Sequence, residues 1–454
     1  MNSYLDNDII FSLATVRGKS ALAIVRVSGQ GCIEQLSKTL VKPQSLLKAK
    51  TNQLVHALMK NIDEVVLAVY KDGHGYTGEE SVEINCHGSI SGISMIEKKM
   101  LALGFRQAEK GEFTLRAFLN NRIDLTMAEA VKEISDSRTE KAQSIALTKL
   151  NGALSDRIIE IKDILISVMG LVEVQLDYSE DEIGEDTSFP RDKVISCLER
   201  LETLASTWST GRLYKEGAKL VLAGASNAGK SSLFNLLLKQ ERSIVSPVEG
   251  TTRDFIEAEA ELMGIPVRLF DTAGLRLSTN EIEIEGIKRT RLLIGEADLI
   301  VYLVDSVRPE EEYKELKTKL ETLYSDRKFL FVWNKVDLDS KFHIPEGFES
   351  LSVNEGLGFE GLISKITNIL KGENFIDEED LDGKVIIESA RQHELLKEAV
   401  LSLKEALNLE SKGYPLDVIT IELQNAMNSL GLISGEVTSD DILDKIFSGF
   451  CVGK

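Results

Sequence analysis

Apolar and polar positions repeat with different periods along the chain, and the changes of period mark its organisation. Between residues 8 and 118, short β-rich runs at 9–14, 21–27, 64–69 and 81–85 are mixed with helical stretches. That mixture predicts an α+β domain. From Thr126 to about Tyr178, apolar residues recur at spacings of three and four, as in Ala130, Val131, Ile134 and again in Ile158, Ile161, Ile164, Leu165. This stretch has no proline, and the pattern predicts long amphipathic helices. An acidic loop at 179–186 interrupts them, and helical periodicity returns at 193–206.

Residues 219–224 begin an alternating strand-and-loop pattern that runs to about 370. The acidic stretch 377–382 reads as a solvated connector, followed by helical segments at 388–409, 418–430 and 440–447. The simplest assembly is a helical bundle made from two separated parts of the chain, with an α/β domain inserted between them. The expected boundaries are 1–118 for the α+β domain, 119–212 and 373–454 for the two helical parts, and 213–372 for the insert.

Composition narrows the class. A length of 454 residues suggests two to four domains, and 43% apolar content lets each bury a core. The longest apolar runs, such as 164–172, fall short of the roughly 18–20 residues that span a bilayer, so no membrane association is expected. The first residues lack a basic and then apolar leader pattern. Cys32, Cys86, Cys197 and Cys451 are far apart and form no CxxC pair, which disfavours a disulfide framework or structural zinc and suits a reducing cytoplasm. The net charge of −20 opposes avid unassisted binding of nucleic acid, since such affinity comes largely from Lys and Arg displacing counterions. If a nucleic acid is the substrate, a local basic surface or a basic partner must supply the attraction.

The insert carries specific chemistry. An apolar strand from Lys219 runs into Gly224-Ala-Ser-Asn-Ala-Gly229-Lys230-Ser231, and a helix pattern follows from Ser232. Strand, G-x4-G-K-S loop and helix form the context a phosphate loop requires. Its glycines let backbone N–H groups of residues such as Asn227, Ala228 and Gly229 approach the phosphates, Lys230 adds a cation, and the Ser231 hydroxyl suits Mg²⁺. Asp271-Thr272-Ala273-Gly274 follows a second strand, where the aspartate suits the Mg²⁺ surroundings and Gly274 can offer its N–H to the γ phosphate. Gly250-Thr251-Thr252-Arg-Asp254 supplies a switch threonine, with Thr252 expected to close over Mg²⁺. Asn334-Lys335-Val-Asp337 follows a third strand. The Asp337 carboxylate can accept from both N1–H and the 2-amino group of guanine, a pair adenine lacks, so the expected nucleotide is GTP. Ser352 begins the expected fifth motif, where Val353-Asn354 departs from the usual Ser-Ala-Lys. The order and context of these motifs predict a Ras-like α/β P-loop G domain.

The residue after Gly274 is Leu275, where Ras-like enzymes place a water-orienting Gln. Leucine cannot orient water. Nearby acids, Glu281, Glu283 and Glu285, are candidates, although on pattern alone an acidic solvated face is the favoured reading.

Several segments together resemble the tRNA-modification GTPase MnmE (TrmE) family across essentially the whole chain. They are Tyr76-Thr-Gly-Glu-Glu80, Cys86-His-Gly88, Gly111-Glu-Phe-Thr-Leu-Arg-Ala-Phe-Leu-Asn120, Asp124-Leu-Thr-Met-Ala-Glu-Ala130, Gly250-Thr-Thr-Arg-Asp254, Asp271-Thr-Ala-Gly-Leu-Arg276 and the terminal Phe450-Cys-Val-Gly-Lys454. The resemblance implies a multidomain protein: an α+β N-terminal folate-binding and dimerisation domain, an α-helical bundle and the inserted G domain. It implies a homodimer that works with an FAD protein, MnmG, in a heterotetramer or larger complex. Together they would install a carboxymethylaminomethyl-type group on carbon 5 of the wobble uridine of certain tRNAs, using 5,10-methylene- or 5-formyl-tetrahydrofolate. Hydrolysis would accompany G-domain pairing with K⁺ beside the phosphates. By this resemblance K⁺ is held by Asn227, Ser246, Val248 and Thr251, the water-orienting acid is Glu283, and folate contacts fall on Arg26, Glu83, Arg122 and Lys454. Arg122 stands where a Lys is common, and would attract a glutamate tail more rigidly. Cys451 reads either as a catalytic thiol beside the Lys454 cation or as a small apolar residue in a docked tail; thiolate is the reactive form.

Two other readings compete with a tRNA-modifying GTPase. One is a regulatory or ribosome-assembly GTPase, which usually carries a basic RNA-binding appendage. The other is a helical scaffold whose G domain only controls assembly.

Overall fold

A computed structural model describes residues 8–177, 189–225, 227–240, 256–271, 293–306, 310–338, 344–372, 375–376 and 384–453. The chain divides into two compact units. The first comprises Met1–Lys132, Lys149–Met169 and Thr420–Lys454; the second comprises Glu133–Thr148 and Gly170–Ile419.

The first unit is built on a six-stranded sheet of β1 (Ile10–Leu13), β2 (Leu22–Ser28), β3 (Gln53–Met59), β4 (Asp63–Tyr70), β5 (Ser81–His87) and β6 (Arg106–Gln107), in the order β3-β4-β5-β2-β1-β6. Only β1 and β6 pair in parallel. The period-2 alternation explains the layering. In β5, Val82, Ile84 and Cys86 are buried while Glu83, Asn85 and His87 point to the other face. The buried side meets α1 (Cys32–Ser37), α2 (Pro43–Leu47) and α3 (Ile90–Ala102). In α3, Ile93, Ile96 and Met100 recur at helical spacing, and the Ser89 hydroxyl caps the helix by accepting from the Gly92 N–H at 3.0 Å. The strand expected at 64–69 is observed as β4 and that at 21–27 as β2. Strand β3 was hidden because Leu54 and Leu58, 68% and 52% exposed, put apolar residues in both phases of its alternation.

Below the sheet, α4 (Glu112–Leu119) buries an ionic network. Arg116, 5% exposed, donates to Asp8 at 2.6 Å and to Glu112 at 3.0 Å, and Arg106 reaches both acids. Burial alone would raise the Glu112 carboxyl, but Arg106, the Glu109 N–H and Arg116 outweigh it and hold its pKa below the ordinary value.

The helical stretch expected from Thr126 to about Tyr178 forms α5 (Leu125–Asp136), α6 (Glu140–Leu150) and α7 (Ala153–Asp177). The turn into α7 uses Gly152 at φ 92°, a conformation favouring glycine. In the first unit, Asp124 caps α5 by accepting from the Met127 N–H at 2.9 Å.

In the second unit, α8 (Arg191–Ser206) and α9 (Trp208–Glu216) precede a six-stranded sheet, and α13 (Ala390–Ser411) follows it. Helix α8 buries Val194, Cys197, Leu201 and Leu204, while α13 buries Leu396, Ala399, Leu403 and Ala406. Lys404 pairs with Glu202 at 2.7 Å, and Trp208 stacks on His393 at 4.9 Å. Helices from both sides of the insert therefore pack together, as the sequence pattern predicts. Two further helices, α14 (Leu416–Ser434) and α15 (Asp440–Phe447), end the chain.

The inserted sheet has β7 (Ala218–Gly224), β8 (Ile256–Leu262), β9 (Ile265–Asp271), β10 (Leu299–Asp305), β11 (Phe329–Asn334) and β12 (Glu349–Leu351), in the order β12-β11-β10-β7-β9-β8. All neighbours are parallel except β8 with β9. Helices α10 (Lys230–Gln240), α11 (Glu310–Leu323) and α12 (Phe359–Lys371) complete the α/β layers. The central strands are apolar on both faces, as a covered parallel sheet requires: Leu220, Leu222, Val301, Leu303 and Val332 are buried on one side and Val221, Ile300 and Val304 on the other. Strand β7 lies between β9 and β10, so the chain order reverses at its carboxyl end, where open α/β sheets bind ligands. No helix among the described residues is long and apolar enough to cross a membrane.

Candidate functional site

The phosphate loop leaves β7 at Gly224 and enters α10 at Lys230. Its glycines have steric reasons. A Cβ on Gly224 (φ 140°) would lie 2.2 Å from the Leu303 carbonyl oxygen, and one on Gly229 (φ 100°) would lie 2.2 Å from Asn334 Nδ2. Asn227 also takes a left-handed φ of 65°. Asn334 acts as a staple: Nδ2 donates to the Ala228 carbonyl at 2.8 Å, and Oδ1 accepts from the Val353 N–H at 3.3 Å. The phosphate loop, the end of β11 and the loop at Ser352–Val353 are thus tied through one buried side chain.

Lys230 donates from Nζ to the carbonyls of Gly224 and Ala225 at 2.9 and 2.8 Å, lying across the loop it would serve. The Ser231 hydroxyl donates to Asp271 Oδ2 at 2.8 Å. These two oxygens are hard donors converging on one point, and that donor set fits Mg²⁺. Ser232 follows in the first turn of α10 and is exposed. Lys335, at φ 67°, pairs with Asp305 at 2.6 Å and is anchored by its carbonyl, which accepts from Ser306 Oγ at 3.0 Å. This turn presents Asp337, exposed, beside the end of β11. Ser352 is fully buried, and its Oγ accepts from the Glu355 N–H at 3.2 Å. Ser246, Val248, Thr251, Thr252, Thr272, Ala273, Gly274 and Glu283 lie outside the described residues, as do Glu281 and Glu285.

A second constellation forms on the first unit. Arg26 on β2 and Glu83 on β5 are direct cross-strand partners, and Arg26 Nε donates to Glu83 Oε1 at 2.8 Å. The C-terminal tail reaches the same place. Val452 bridges Lys110, the Gly111 N–H donates to the Cys451 carbonyl at 3.4 Å, and Arg26 Nη1 donates to the Gly453 carbonyl at 3.0 Å. Phe447 and Phe450 anchor the tail in a core with Leu115, Leu125 and Ala128. Gly453 is glycine for cause: its φ is 97°, and a Cβ would meet the Leu13 carbonyl oxygen at 2.8 Å. The Cys451 side chain stays exposed, while Cys32, Cys86 and Cys197 are buried. Burial pushes the Tyr76 hydroxyl up; it shares a hydrogen bond with Thr114 at 3.1 Å, and the Arg26 charge opposes the rise. Arg122 is exposed, and its Cγ would lie 3.1 Å from a Cβ on Gly78 of the Tyr76–Glu80 segment. Lys454 lies outside the described residues.

Residues the sequence reading did not single out complete this picture. Tyr76, hydrogen-bonded to Thr114, feels the Arg26 charge, and the Gly453 carbonyl is the second partner of Arg26. The Arg106–Glu112–Arg116 network supports the turn that receives the tail. The i,i+4 spacing of Glu112 and Arg116 was the one available signal.

Two family models divide the chain between them: the GTP-binding protein TrmE N-terminus over residues 9–122, and the MnmE helical domain over residues 125–451. The chain belongs to the MnmE family. Among curated MnmE proteins, "tRNA modification GTPase MnmE" of Treponema denticola is 38% identical over 478 residues, covering 100% of both chains. The protein of the same name from Borrelia turicatae is 39% identical over 470 residues, again covering 100% of both. A solved structure, the G domain of the T. maritima FeoB iron transporter, is 29% identical, covers 34% of this chain and 98% of that one, and has a TM-score of 0.26. The MnmE relatives thus extend through every domain, including the tail that meets Arg26.

Proposed function

We propose that this chain is a GTP hydrolase that modifies tRNA in the cytoplasm. With an FAD-containing partner of the MnmG type, it would install a carboxymethylaminomethyl-type group on carbon 5 of the wobble uridine, drawing on a tetrahydrofolate one-carbon unit. The observation that carries this reading is the convergence of Arg26, Glu83 and the Cys451–Gly453 tail on one sheet face, in a chain with full-length MnmE relatives. A G domain used only as a switch has no need of that second constellation.

Roles follow from chemistry. Glu83 offers a carboxylate to N–H donors of a pterin ring, and Arg26 orients it. Arg122 and Lys454 suit the anionic glutamate tail of a folate. A bound folate supplies the carbon unit; Cys451, exposed on the docked tail, is positioned by backbone bonds rather than by its own side chain. In the G domain, Lys230 and the loop N–H groups hold the phosphates, with Ser232 in the first helical turn, and Asp337 selects guanine with Asn334 and Lys335 supporting the turn. Thr272, Ala273 and Gly274 follow Asp271 at the γ phosphate, and Ser352 holds the fifth loop. Ser231 and Thr252 suit Mg²⁺, while Asn227, Ser246, Val248 and Thr251 suit K⁺. A cation there stabilises charge on the transferring phosphoryl group without an arginine finger. Glu283 replaces the missing Gln in orienting water. Pairing of two G domains in a homodimer would complete the K⁺ site.

The test is mass spectrometry of tRNA nucleosides from cells lacking the gene, with and without the chain restored. The aminomethylated wobble uridine should vanish, return with the intact chain and stay absent with Cys451→Ser. Its presence in all samples would overturn the reading in favour of a regulatory or ribosome-assembly GTPase.

A further inference from the structure

Charge is distributed unevenly along this acidic chain. Residues 35–62 form the longest run without Asp or Glu, and they carry Lys38, Lys42, Lys48, Lys50 and Lys60. All five are exposed. None pairs with a carboxylate among the described residues, and no Asp or Glu lies within the stretch to offset them. In a chain of net charge −20, five unpaired cations in one stretch are not a solvated average.

The fold gathers them at one border of the first unit. Strand β3 is the edge of its sheet. At its far end, the Lys60 N–H donates to the Thr39 carbonyl at 2.9 Å and Lys60 Nζ to the Lys38 carbonyl at 3.2 Å, while the Val41 N–H donates to the Leu58 carbonyl at 2.9 Å. Lys38, Lys42 and Lys60 therefore cluster there. Lys48 and Lys50 follow α2 and approach the near end, where the Lys50 N–H donates to Gln53 Oε1 at 2.8 Å. Lys50 and Lys60 flank the two ends of the seven-residue β3, about 20 Å apart, while Lys42 and Lys48, at the two ends of α2, are about 9 Å apart. Asp63 and Glu64 stand at the same border, but their contacts are to His87 and His56, each at 2.8 Å, and not to these lysines.

We infer that this lysine border is a docking surface for the sugar-phosphate backbone of the substrate tRNA. The inference rests on the tRNA-modifying reading above and adds where the acidic chain touches RNA. Cations spread over about 20 Å of this border match a polyanion that runs along the sheet edge rather than a single phosphate. The bland alternative is that the lysines only keep an edge strand from pairing with another sheet, and it predicts no RNA effect.

The experiment is a fluorescence-anisotropy titration of labelled tRNA against the full chain and against the triple variant Lys42→Gln, Lys48→Gln, Lys60→Gln, over a range of KCl concentrations. Circular dichroism and GTP turnover serve as controls for folding. The variant should bind about tenfold or more weakly, and its slope of log K against log salt should be shallower by about 2, as expected for roughly three lost phosphate contacts. Equal affinity and slope in a wild type that binds tRNA would overturn the inference while leaving the modification reading intact. No tRNA binding by the wild type would overturn the inference and leave the attraction for RNA to a partner protein, while nucleoside mass spectrometry still decides the modification reading. Loss of binding only to vesicles of equimolar phosphatidylserine and phosphatidylcholine, with tRNA unaffected, would overturn it in favour of a membrane surface.

Discussion

Arg26 and Gly453 meet across 427 residues of sequence: Nη1 of the arginine donates to the glycine carbonyl at 3.0 Å while Nε holds Glu83. One guanidinium therefore fixes both a folate-candidate carboxylate and the tail that bears Cys451. Arg26→Ala should loosen the tail. Because Arg26 is about one-third exposed, the expected effect is modest, on the order of 1 kcal/mol, or about fivefold faster hydrogen exchange at Val452 and Gly453. Affinity for 5-formyltetrahydrofolate, read by calorimetry, should fall by more than that, since Glu83 also loses its partner. Unchanged exchange would show that the Phe447 and Phe450 anchors alone hold the tail.

The Glu112 network makes the first unit sensitive to acid. Glu112 and Asp8 are both held below the ordinary carboxylate range: burial raises them, and the Arg106 and Arg116 guanidiniums more than reverse it. The unfolded chain takes up protons near pH 4 while the folded network stays ionised. Stability from the network is therefore complete above that range and lost as pH falls through the lower folded values. Glu112→Ala should remove about 3 kcal/mol, because it leaves Arg116 buried beside an incomplete set of acids. Urea unfolding, followed by near-ultraviolet circular dichroism at pH 7 and pH 4, checks both; the variant should show a flatter acid dependence than the wild type.

Gly211 on α9 sits where the extended segment leading into α13 passes. A Cβ there would lie 2.0 Å from the Ile387 carbonyl oxygen, a backbone atom that cannot swing aside. Gly211→Ala should cost about 1–3 kcal/mol despite better helix propensity, read as a lower thermal midpoint of the second unit. A rise in the midpoint would mean the Ile387 segment shifts freely.

Exchange of K⁺ for Na⁺ should slow GTP hydrolysis sharply, and Glu283→Ala should lower kcat by about a hundredfold or more with GTP affinity intact. Stopped-flow phosphate release and nucleotide titration separate the two effects. Equal rates in both salts would remove the cation from the mechanism, and a proportional loss of affinity would remove Glu283 from the attack on water.

The G-domain motifs were legible because phosphate binding constrains backbone as well as side chains. Gly224 and Gly229 each avoid a 2.2 Å contact, so the residue type itself reports the geometry. The helical insert architecture was legible from period alone, since α8 and α13 each carry a strong apolar stripe. A docked tail was an expectation that only the family resemblance supplied; the contacts that dock it were not legible in the residue pattern. The Val452–Lys110 bridge and the Arg26–Gly453 bond are made by backbone groups, which leave no mark on residue identity. Strand β3 hid for a different reason: its outward Leu54 and Leu58 erase the alternation that reports strands. Asn334 was read as part of a guanine motif, but its clamp on Ala228 could not be read from spacing.

The pairing of α8 with α13 has a consequence for synthesis. The α8 face of Val194, Cys197, Leu201 and Leu204 leaves the ribosome long before Leu396, Ala399, Leu403 and Ala406 exist to cover it. At about 5–20 residues per second, the wait is on the order of ten seconds. During that interval the insert can complete its own sheet. Doing so brings its two ends together, as the bond from the Ile387 N–H to Thr207 Oγ1 at 3.0 Å records, and turns a long loop closure into a short one. A substitution that slows folding of the insert therefore strands an apolar helix face on the nascent chain and exposes it to aggregation, even when the finished protein would have been stable.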